Sequence, residues 1–254
     1  MSLKFSAKAH RYWLDGKPVP GVTTILGKGI PKPALPYWAA RMVAEYVADE
    51  PEKVDALREA GRDPMVAALK SVPWTRRDQA GLRGTEIHAL ADLLAHGEEV
   101  SVPEQHVHEV TGLAEWLDEF DATPILTERS VAHRGHRYAG RLDFLGTLGA
   151  LGTETWLLDW KTSSGVYGET ALQTAAYAHA EFYVEDDAPD VEHPMPHVDR
   201  IGVVHVTPDG SHLYDLGEPA EAFEHFLAAK AVADATVWRD SIIGDPITAP
   251  KEIP

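Results

Sequence analysis

Apolar and polar positions follow two patterns along this chain, and the changeover falls near residue 124. Before it, apolar residues recur at helical spacing. Ile87, Leu90, Ala91 and Leu94 predict a helix from about Thr85 to Ala95, with Thr85 as its cap and Gly97 at its end. Val107, Val110, Leu113, Leu117 and Phe120 predict another over 103–120. Upstream, Tyr37 to Tyr46 has helical character, and 51–80 reads as a helical stretch broken around Gly61 to Pro64 and at Pro73. The opening segment HRYWLDGKPVPGVTTIL reads as a short hairpin that turns at Asp15-Gly16 and leads into an apolar run. KGIPKPALP is a proline-punctuated loop.

From residue 124 the period shortens. PILTERSVAH, HRYAGRLDFLG and ETWLLDWKT are β-type runs separated by glycines. A helix is predicted from Glu169 to about Val184, then a surface loop at EDDAPDVEHPMPH. RIGVVHVTP and HLYDL form a hairpin across Asp209-Gly210, and an amphipathic helix from Glu218 to Arg239 closes the chain. The pattern predicts an α/β or α+β fold, a central sheet flanked by helices, with an N-terminal hairpin and helical extension. No repeat or long linker marks a boundary. One domain is expected over 1–254, with its core at about 84–240 and an extension at 1–83.

Composition narrows the chemistry. With 254 residues, 44% apolar and 25% charged, the chain reads as an ordinary globular protein. It has no cysteine, which excludes disulfides, thiolate zinc sites, cysteine nucleophiles and cysteine-held iron–sulfur clusters. No run approaches the roughly 20 apolar residues that span a bilayer. MSLKFSAKAHRYW lacks the apolar stretch of a secretory signal, so a cytoplasmic protein without membrane association is expected. The net charge of −17 argues against indiscriminate polyanion binding. That charge is unevenly spread. Residues 1–145 hold 18 Lys/Arg against 21 Asp/Glu, and residues 146–254 hold 5 against 19. Seven Lys/Arg in the first 41 residues meet only Asp15, and Arg129 to Arg141 carries four arginines with no acid. These two basic segments could steer a phosphate backbone or simply be two solvated surfaces.

The informative stretch is Tyr138 to Tyr177. Alternation in TWLLDWK places Trp156, Leu158 and Trp160 on one face, with Leu157, Asp159 and Lys161 on the other. A carboxylate and an ammonium at the end of an apolar strand need partners or a metal, because buried charge is costly. The preceding run supplies Asp143 in GRLDF, where Gly140 allows close approach and a Leu142/Phe144 face can be buried. If the two strands pair, Asp143 and Asp159 converge into a hard-oxygen site suited to Mg²⁺ or Mn²⁺, against the plainer reading of an Asp–Lys ion pair. Gln173 and Tyr177, four apart, share a helix face among alanines and can hydrogen-bond a phosphate. His88 in GTEIHALA can add an imidazole ligand. Trp74, Arg76, Arg77 and Arg83 read either as a clamp for a single strand or as a helix-entry loop.

In this order the pieces Gly84-Thr85-Glu86-Ile87-His88, Gly140-Arg141-Leu142-Asp143, Asp159-Trp160-Lys161 and Gln173-Thr174-Ala175-Ala176-Tyr177 resemble the RecB-type branch of the PD-(D/E)XK nuclease superfamily. The N-terminal His10-x-Tyr12-x-x-x-Gly16 and Gly21-Val-Thr-Thr-Ile-Leu26 pieces are similar to those of phage-encoded exonucleases of this type. Leu142 stands where the superfamily's name has proline, as is usual in this branch.

The resemblance implies a restriction-endonuclease-like core with a central mixed sheet, and a metal-dependent DNA exonuclease of phage or bacterial recombination and repair. It implies that Asp143, Asp159 and His88 hold Mg²⁺ or Mn²⁺, with the Trp160 carbonyl as an extra ligand. Lys161 would orient or deprotonate water, Gln173, Tyr177 and Arg141 would bind substrate, and Glu128 would be at most an accessory ligand. Single- or double-stranded DNA with ends is the implied partner, together with a single-strand annealing or recombination protein. An endonuclease or branched-DNA resolvase on the same core, and an inactive DNA-binding module, remain alternatives. With no cysteine, no iron–sulfur cluster is expected.

Overall fold

A computed structural model describes residues 3–6 and 11–246; His10 of the N-terminal motif and Lys8 of the basic segment lie outside them. The described chain begins with β1 (Leu3–Ser6), β2 (Arg11–Leu14) and β3 (Lys17–Val19), an antiparallel three-stranded sheet. Asp15 and Gly16, both at positive φ (53° and 74°), make the tight turn the sequence predicts between β2 and β3. Four helices follow: α1 (Val22–Gly29), α2 (Ala34–Asp49), α3 (Pro51–Ala60) and α4 (Arg62–Ala95). A 3-10 turn at Glu104–His106 leads into α5 (Val107–Glu119). Then come β4 (Ala122–His133), β5 (Tyr138–Leu148), β6 (Thr155–Lys161), α6 (Glu169–Ala178), β7 (Phe182–Glu185), β8 (Ala188–Pro194), β9 (Arg200–Thr207), β10 (Gly210–Gly217) and α7 (Pro219–Ser241).

These strands form a seven-stranded sheet in the order β10-β9-β6-β5-β4-β7-β8. All neighbours are antiparallel except β6 and β9, so the sheet is mixed. The strand alternation of TWLLDWK holds. Trp156, Leu158 and Trp160 pack with Ile87 and Ala91 of α4 and Leu113 and Trp116 of α5, whereas Leu157 packs with α1, α6 and α7 through Ile25, Ala176 and Phe226. Helices therefore cover both faces. The three-stranded sheet closes one end by burying Leu3, Tyr12 and Leu14 against Ala132, Ala139 and Phe182. Pro20 binds it to the large sheet, its carbonyl accepting the Ala139 N–H at 3.2 Å. Among the described residues, no helix is long and apolar enough to cross a membrane.

Four expectations need correction. The helix expected from Thr85 is the last third of α4, a single 34-residue helix that runs through Pro73 and across the expected boundary at 83/84. Thr85 does not cap it; its hydroxyl donates back to the Gly81 carbonyl at 3.0 Å. Val72 and Pro73 are buried in the packing of α4 with α2 and α3, which offsets the roughly 3 kcal/mol that an interior proline costs. The helix from Glu169 stops at Ala178, because Phe182 and Val184 pair with Ala132 and Ser130 of β4 instead. The acidic segment after it is no loop but contains β8, an edge strand on β7. Finally, Leu142 and Phe144 do not share a face. Leu142 and Leu145 lie in one layer and Phe144 and Leu148 in the other, so alternation breaks at Asp143. On β4, Leu126 and Val131, five residues apart, share a layer, so alternation breaks there too.

Candidate active site

That double break builds the site. The β5–β6 ladder ends at Phe144↔Leu158, leaving the next positions, Asp143 and Asp159, opposite one another but unladdered. Asp143 fills the gap with its side chain, whose Oδ2 accepts the Trp160 N–H at 2.9 Å. Across the other edge of β5, the register Thr127↔Phe144 and Arg129↔Leu142 brings Glu128 opposite Asp143. Glu128 has φ 48°, a left-handed conformation that a glutamate in a strand adopts only when its surroundings impose it.

α4 supplies the third group. Gly84 carries the helix close to the residues after β6, where an added Cβ would sit 3.5 Å from Thr162 Oγ1. His88, one turn on, then reaches the gap between the strands. Its Nε2 lies 2.9 Å from the Trp160 carbonyl, and its Nδ1 lies 3.5 Å from Asp143 and 3.9 Å from Glu128. An Nε2–H donated to the carbonyl leaves Nδ1 facing the two carboxylates. The Trp160 carbonyl, which the resemblance implies as an extra metal ligand, is the hydrogen-bond partner that orients His88. Ligand atoms of His88, Glu128 and Asp143 all lie within 4.8 Å of one another. Two carboxylates and an imidazole directed at one point are a donor set that fits a divalent cation.

Asp159 is 1% exposed and held from two sides. Gln173 on α6 donates to its Oδ1 at 2.6 Å, and Lys161 Nζ lies 2.5 Å from its Oδ2. Lys161 also reaches Gln173 Oε1 at 3.4 Å, so the amide bridges the acid and the base. In this arrangement Asp159 lies outside the His88–Glu128–Asp143 group and is the counter-ion of Lys161. Tyr177 lies beneath the site, not on its surface. It is 4% exposed, its hydroxyl is 3.4 Å from Gln173 Nε2, and its ring packs on Gly140, where a Cβ would come within 2.3 Å. The expectation that Tyr177 meets substrate gives way to a buried support for Gln173.

Electrostatics follow from this packing. Burial and the neighbouring Asp143 push the Asp159 carboxyl up to about 6, against the pull of Lys161. Glu128 is raised by burial and by Asp143, with Arg141 opposing. Asp143 moves the other way. Burial would raise it, but His88, Lys161 and the Trp160 N–H together hold it below the usual carboxylate range. Burial would lower His88, yet the surrounding carboxylates, Asp143 foremost, lift it to about 9. Lys161 is likewise held above its ordinary value, because Asp159 outweighs desolvation. Tyr177 is pushed well above 10 by burial and by Asp159 and Asp143, so its phenol stays neutral.

Arg141 does not face an open groove. It donates to Glu128 at 2.7 Å and to both oxygens of Asp186 at 3.0 Å. The basic stretch around it is similarly occupied. Arg129 pairs with Glu185, and Arg134 with Asp15 and Glu192. Three of its four arginines thus bind the acids of the β2–β3 turn and of β7–β8, which removes the stretch as a free basic surface.

No protein-family model matches the chain, and no curated protein matches it. Among solved structures the chain is similar to the crystal structure of SSO0001, at 19% identity and a TM-score of 0.29, over 54% of this chain and 59% of that one. The chain thus spans less than two-thirds of that structure's length, and a likeness at this level carries no argument about activity.

Proposed function

We propose that this protein is a metal-dependent nuclease with a restriction-endonuclease-like core, acting on DNA ends. The observation that carries the reading is the meeting of His88, Glu128, Asp143, Asp159, Lys161 and Gln173 where β5 and β6 part. The residues come from separate segments of sequence, and an ion pair serving only stability would need two of them.

A Mg²⁺ or Mn²⁺ ion held by Asp143 and Glu128, with His88 Nδ1 as a further donor, would polarise a phosphate oxygen and lower the pKa of a bound water. The chain's own residues do the rest. Asp143, kept ionised by its neighbours, is the anchoring carboxylate. Lys161, kept an ammonium by Asp159, orients the attacking water and offsets charge on the phosphate, so deprotonation of that water is not its task in the resting state. Gln173 fixes the Asp159 and Lys161 side chains relative to one another, so a scissile phosphate meets a preformed geometry. His88 would have to give up a proton for Nδ1 to hold a cation, so cation binding would favour alkaline conditions.

End-labelled linear single- and double-stranded DNA and a closed circle, each incubated with Mg²⁺, Mn²⁺ or EDTA, test this against Lys161→Ala. Metal-dependent loss of linear DNA that spares the circle and fails in the variant is expected. Cutting of the circle would move the reading to an endonuclease on the same core. Absence of cleavage with either metal, with DNA still bound, would overturn catalysis and leave a binding module.

A further inference from the structure

Beside the metal-capable group lies a cavity of about 1000 Å³ between the middle of α4 and the ends of β6 and β9. Arg77 and Arg83 line one wall, Thr162 to Ser164 the floor, and His205 and Thr207 the other side. The elements that form it are those that carry the site. Arg83 lies five residues before His88 on α4, Thr162 follows Lys161 directly, and His205 is the register partner of Lys161 on β9. Arg83 fixes the floor by donating to the Thr162 carbonyl at 3.1 Å, and His205 does the same at the Ser163 carbonyl, at 2.7 Å. The lining carries two arginines, each with an acidic neighbour (Asp78 2.7 Å from Arg77, Glu109 4.0 Å from Arg83), and the hydroxyls of Thr162, Ser163, Ser164 and Thr207, groups that a phosphodiester backbone can meet.

The outer rim carries a different feature. Trp74 is 59% exposed, and the Arg77 guanidinium lies 4.8 Å from its ring centroid. Arg77 is itself steadied by Asp78 at 2.7 Å. A large indole held in water on the same helix as two groove arginines gives up apolar burial, and its contact with Arg77 covers one ring face at most. An aromatic face beside a cationic track is what stacking of unpaired bases uses. Bases inside a duplex have both faces covered by their neighbours and cannot occupy it; in a duplex only the terminal pair has an open face. The cavity volume is at the upper end of the roughly 300–1,000 Å³ of small-ligand pockets, room for a few unpaired nucleotides.

We infer that this groove is a binding track for a single nucleic-acid strand, with Trp74 and Arg77 as a stacking ledge and Arg83 holding a phosphate at the entrance to the His88–Lys161 centre. The inference rests on the nuclease reading for its direction, since the strand leads toward the residues proposed to cut it. Arg76, exposed on the same helix but lining a separate cavity with Tyr46 and Lys53, is not part of the track.

The test is fluorescence anisotropy of a labelled oligothymidylate strand and of a hairpin duplex with equal nucleotide count, with Ca²⁺ in place of Mg²⁺ and intact probe verified afterwards on a gel. The strand should bind the wild-type protein more tightly than the duplex does. Trp74→Ala should weaken it about fivefold or more, the low end for one stacked base, and Trp74→Phe should regain most of that. Arg83→Ala should make the slope of log affinity against log salt shallower by about 0.7, the share of one phosphate on a single strand. Wild-type affinity in both alanine variants, or equal binding of duplex and strand, would overturn the track. Normal strand binding with no cleavage under Mg²⁺ would instead overturn the nuclease reading and leave the track standing. Full cleavage with binding indifferent to Trp74 and Arg83 would do the reverse.

Discussion

Asp143 accepts the backbone N–H of Trp160 at 2.9 Å, at the point where the β5–β6 ladder has run out. One carboxylate oxygen thus completes a hydrogen bond that the ladder leaves open, and the other faces His88 at 3.5 Å. The two duties can be separated by substitution. Asp143→Asn keeps an oxygen for the Trp160 N–H and removes the charge that anchors a cation. Its fold should persist with a lower melting temperature near neutrality, because His88 and Lys161 lose a buried counter-charge, while its affinity for Mn²⁺ falls by more than the roughly 10–100-fold that loss of an outer partner typically costs. Isothermal titration with Mn²⁺ beside a thermal melt checks both halves. Glu128→Gln should behave alike, because Gln can still meet Arg141; unchanged Mn²⁺ affinity there would remove Glu128 from the ligand set.

Lys161 and Asp159 make a pair, buried at Asp159 and 28% exposed at Lys161, whose removal is asymmetric. Lys161→Ala leaves Asp159, 1% exposed and already raised to about 6, with Gln173 as its main polar support. Breaking one side of such a pair typically costs about 3–5 kcal/mol, through the charge left uncompensated. The variant should therefore melt well below wild type near neutrality. Asp159→Asn in the same background removes that charge and should recover a large part of the loss, although on the proposed nuclease reading neither protein would cut DNA. A double-mutant cycle on melting temperature reads the coupling directly, and additive effects would contradict the pairing.

Much of this site was legible because its signals are local. Alternation alone put Asp159 and Lys161 on one side of β6, and i, i+4 spacing put Gln173 beside Tyr177. The position of Glu128 beside Asp143 is hidden from the sequence for a physical reason. A charged residue in mid-strand reads as solvated, and its place opposite Asp143 depends on a β4–β5 register and a positive φ that no local pattern encodes. The ion pair of Arg141 is hidden in the same way, since its partner Asp186 lies 45 residues downstream on a segment that reads as a loop. The continuity of α4 was hidden by Pro73, Gly81 and Gly84, which are breakers in isolation and tolerated once α2, α3 and α5 pack along the helix. The end of α6 was missed because the alanine-rich run suits a helix, whereas pairing with β4 decides the structure after Ala180.

Gly140 predicts a steric test of the Tyr177 placement. A methyl group at residue 140 would lie 2.3 Å from Tyr177 Cε1, a ring buried against α1 and the sheet and unable to swing aside. Gly140→Ala should destabilise by about 1–3 kcal/mol, as overpacking of a filled core does. Combining it with Tyr177→Leu, which vacates the ring's place, should cost less than the two single changes added together. Tyr177→Phe, by contrast, gives up only a 3.4 Å contact to Gln173 and, on the proposed nuclease reading, should cut DNA within a few-fold of wild type. A large loss of cleavage in Tyr177→Phe would return the hydroxyl to the reaction.

The turn between β4 and β5 predicts an acid-sensitive element away from the site. Glu181 accepts the Arg134 and Gly135 backbone N–H groups at 3.0 and 3.1 Å and lies 2.9 Å from His133 Nδ1. Partial burial would raise its carboxyl, but the two N–H groups, with His133 and Arg134, hold it below its ordinary 4.5. A depressed carboxylate contributes stability that is fully present above the unfolded value and is lost as pH falls through the folded one. His133, lowered mainly by burial, acts in the same direction at higher pH: unfolding lets it take up a proton, so stability declines once pH drops below its ordinary 6.5. Wild type should therefore melt above Glu181→Gln near neutrality, with the gap closing as pH falls below about 4.5. His133→Gln should flatten the earlier decline between neutrality and about pH 5 without removing the later one. Thermal melts of the three proteins across that range decide the matter, and a gap between wild type and Glu181→Gln that persists at the acid end would show that Glu181 acts there by packing and not by charge.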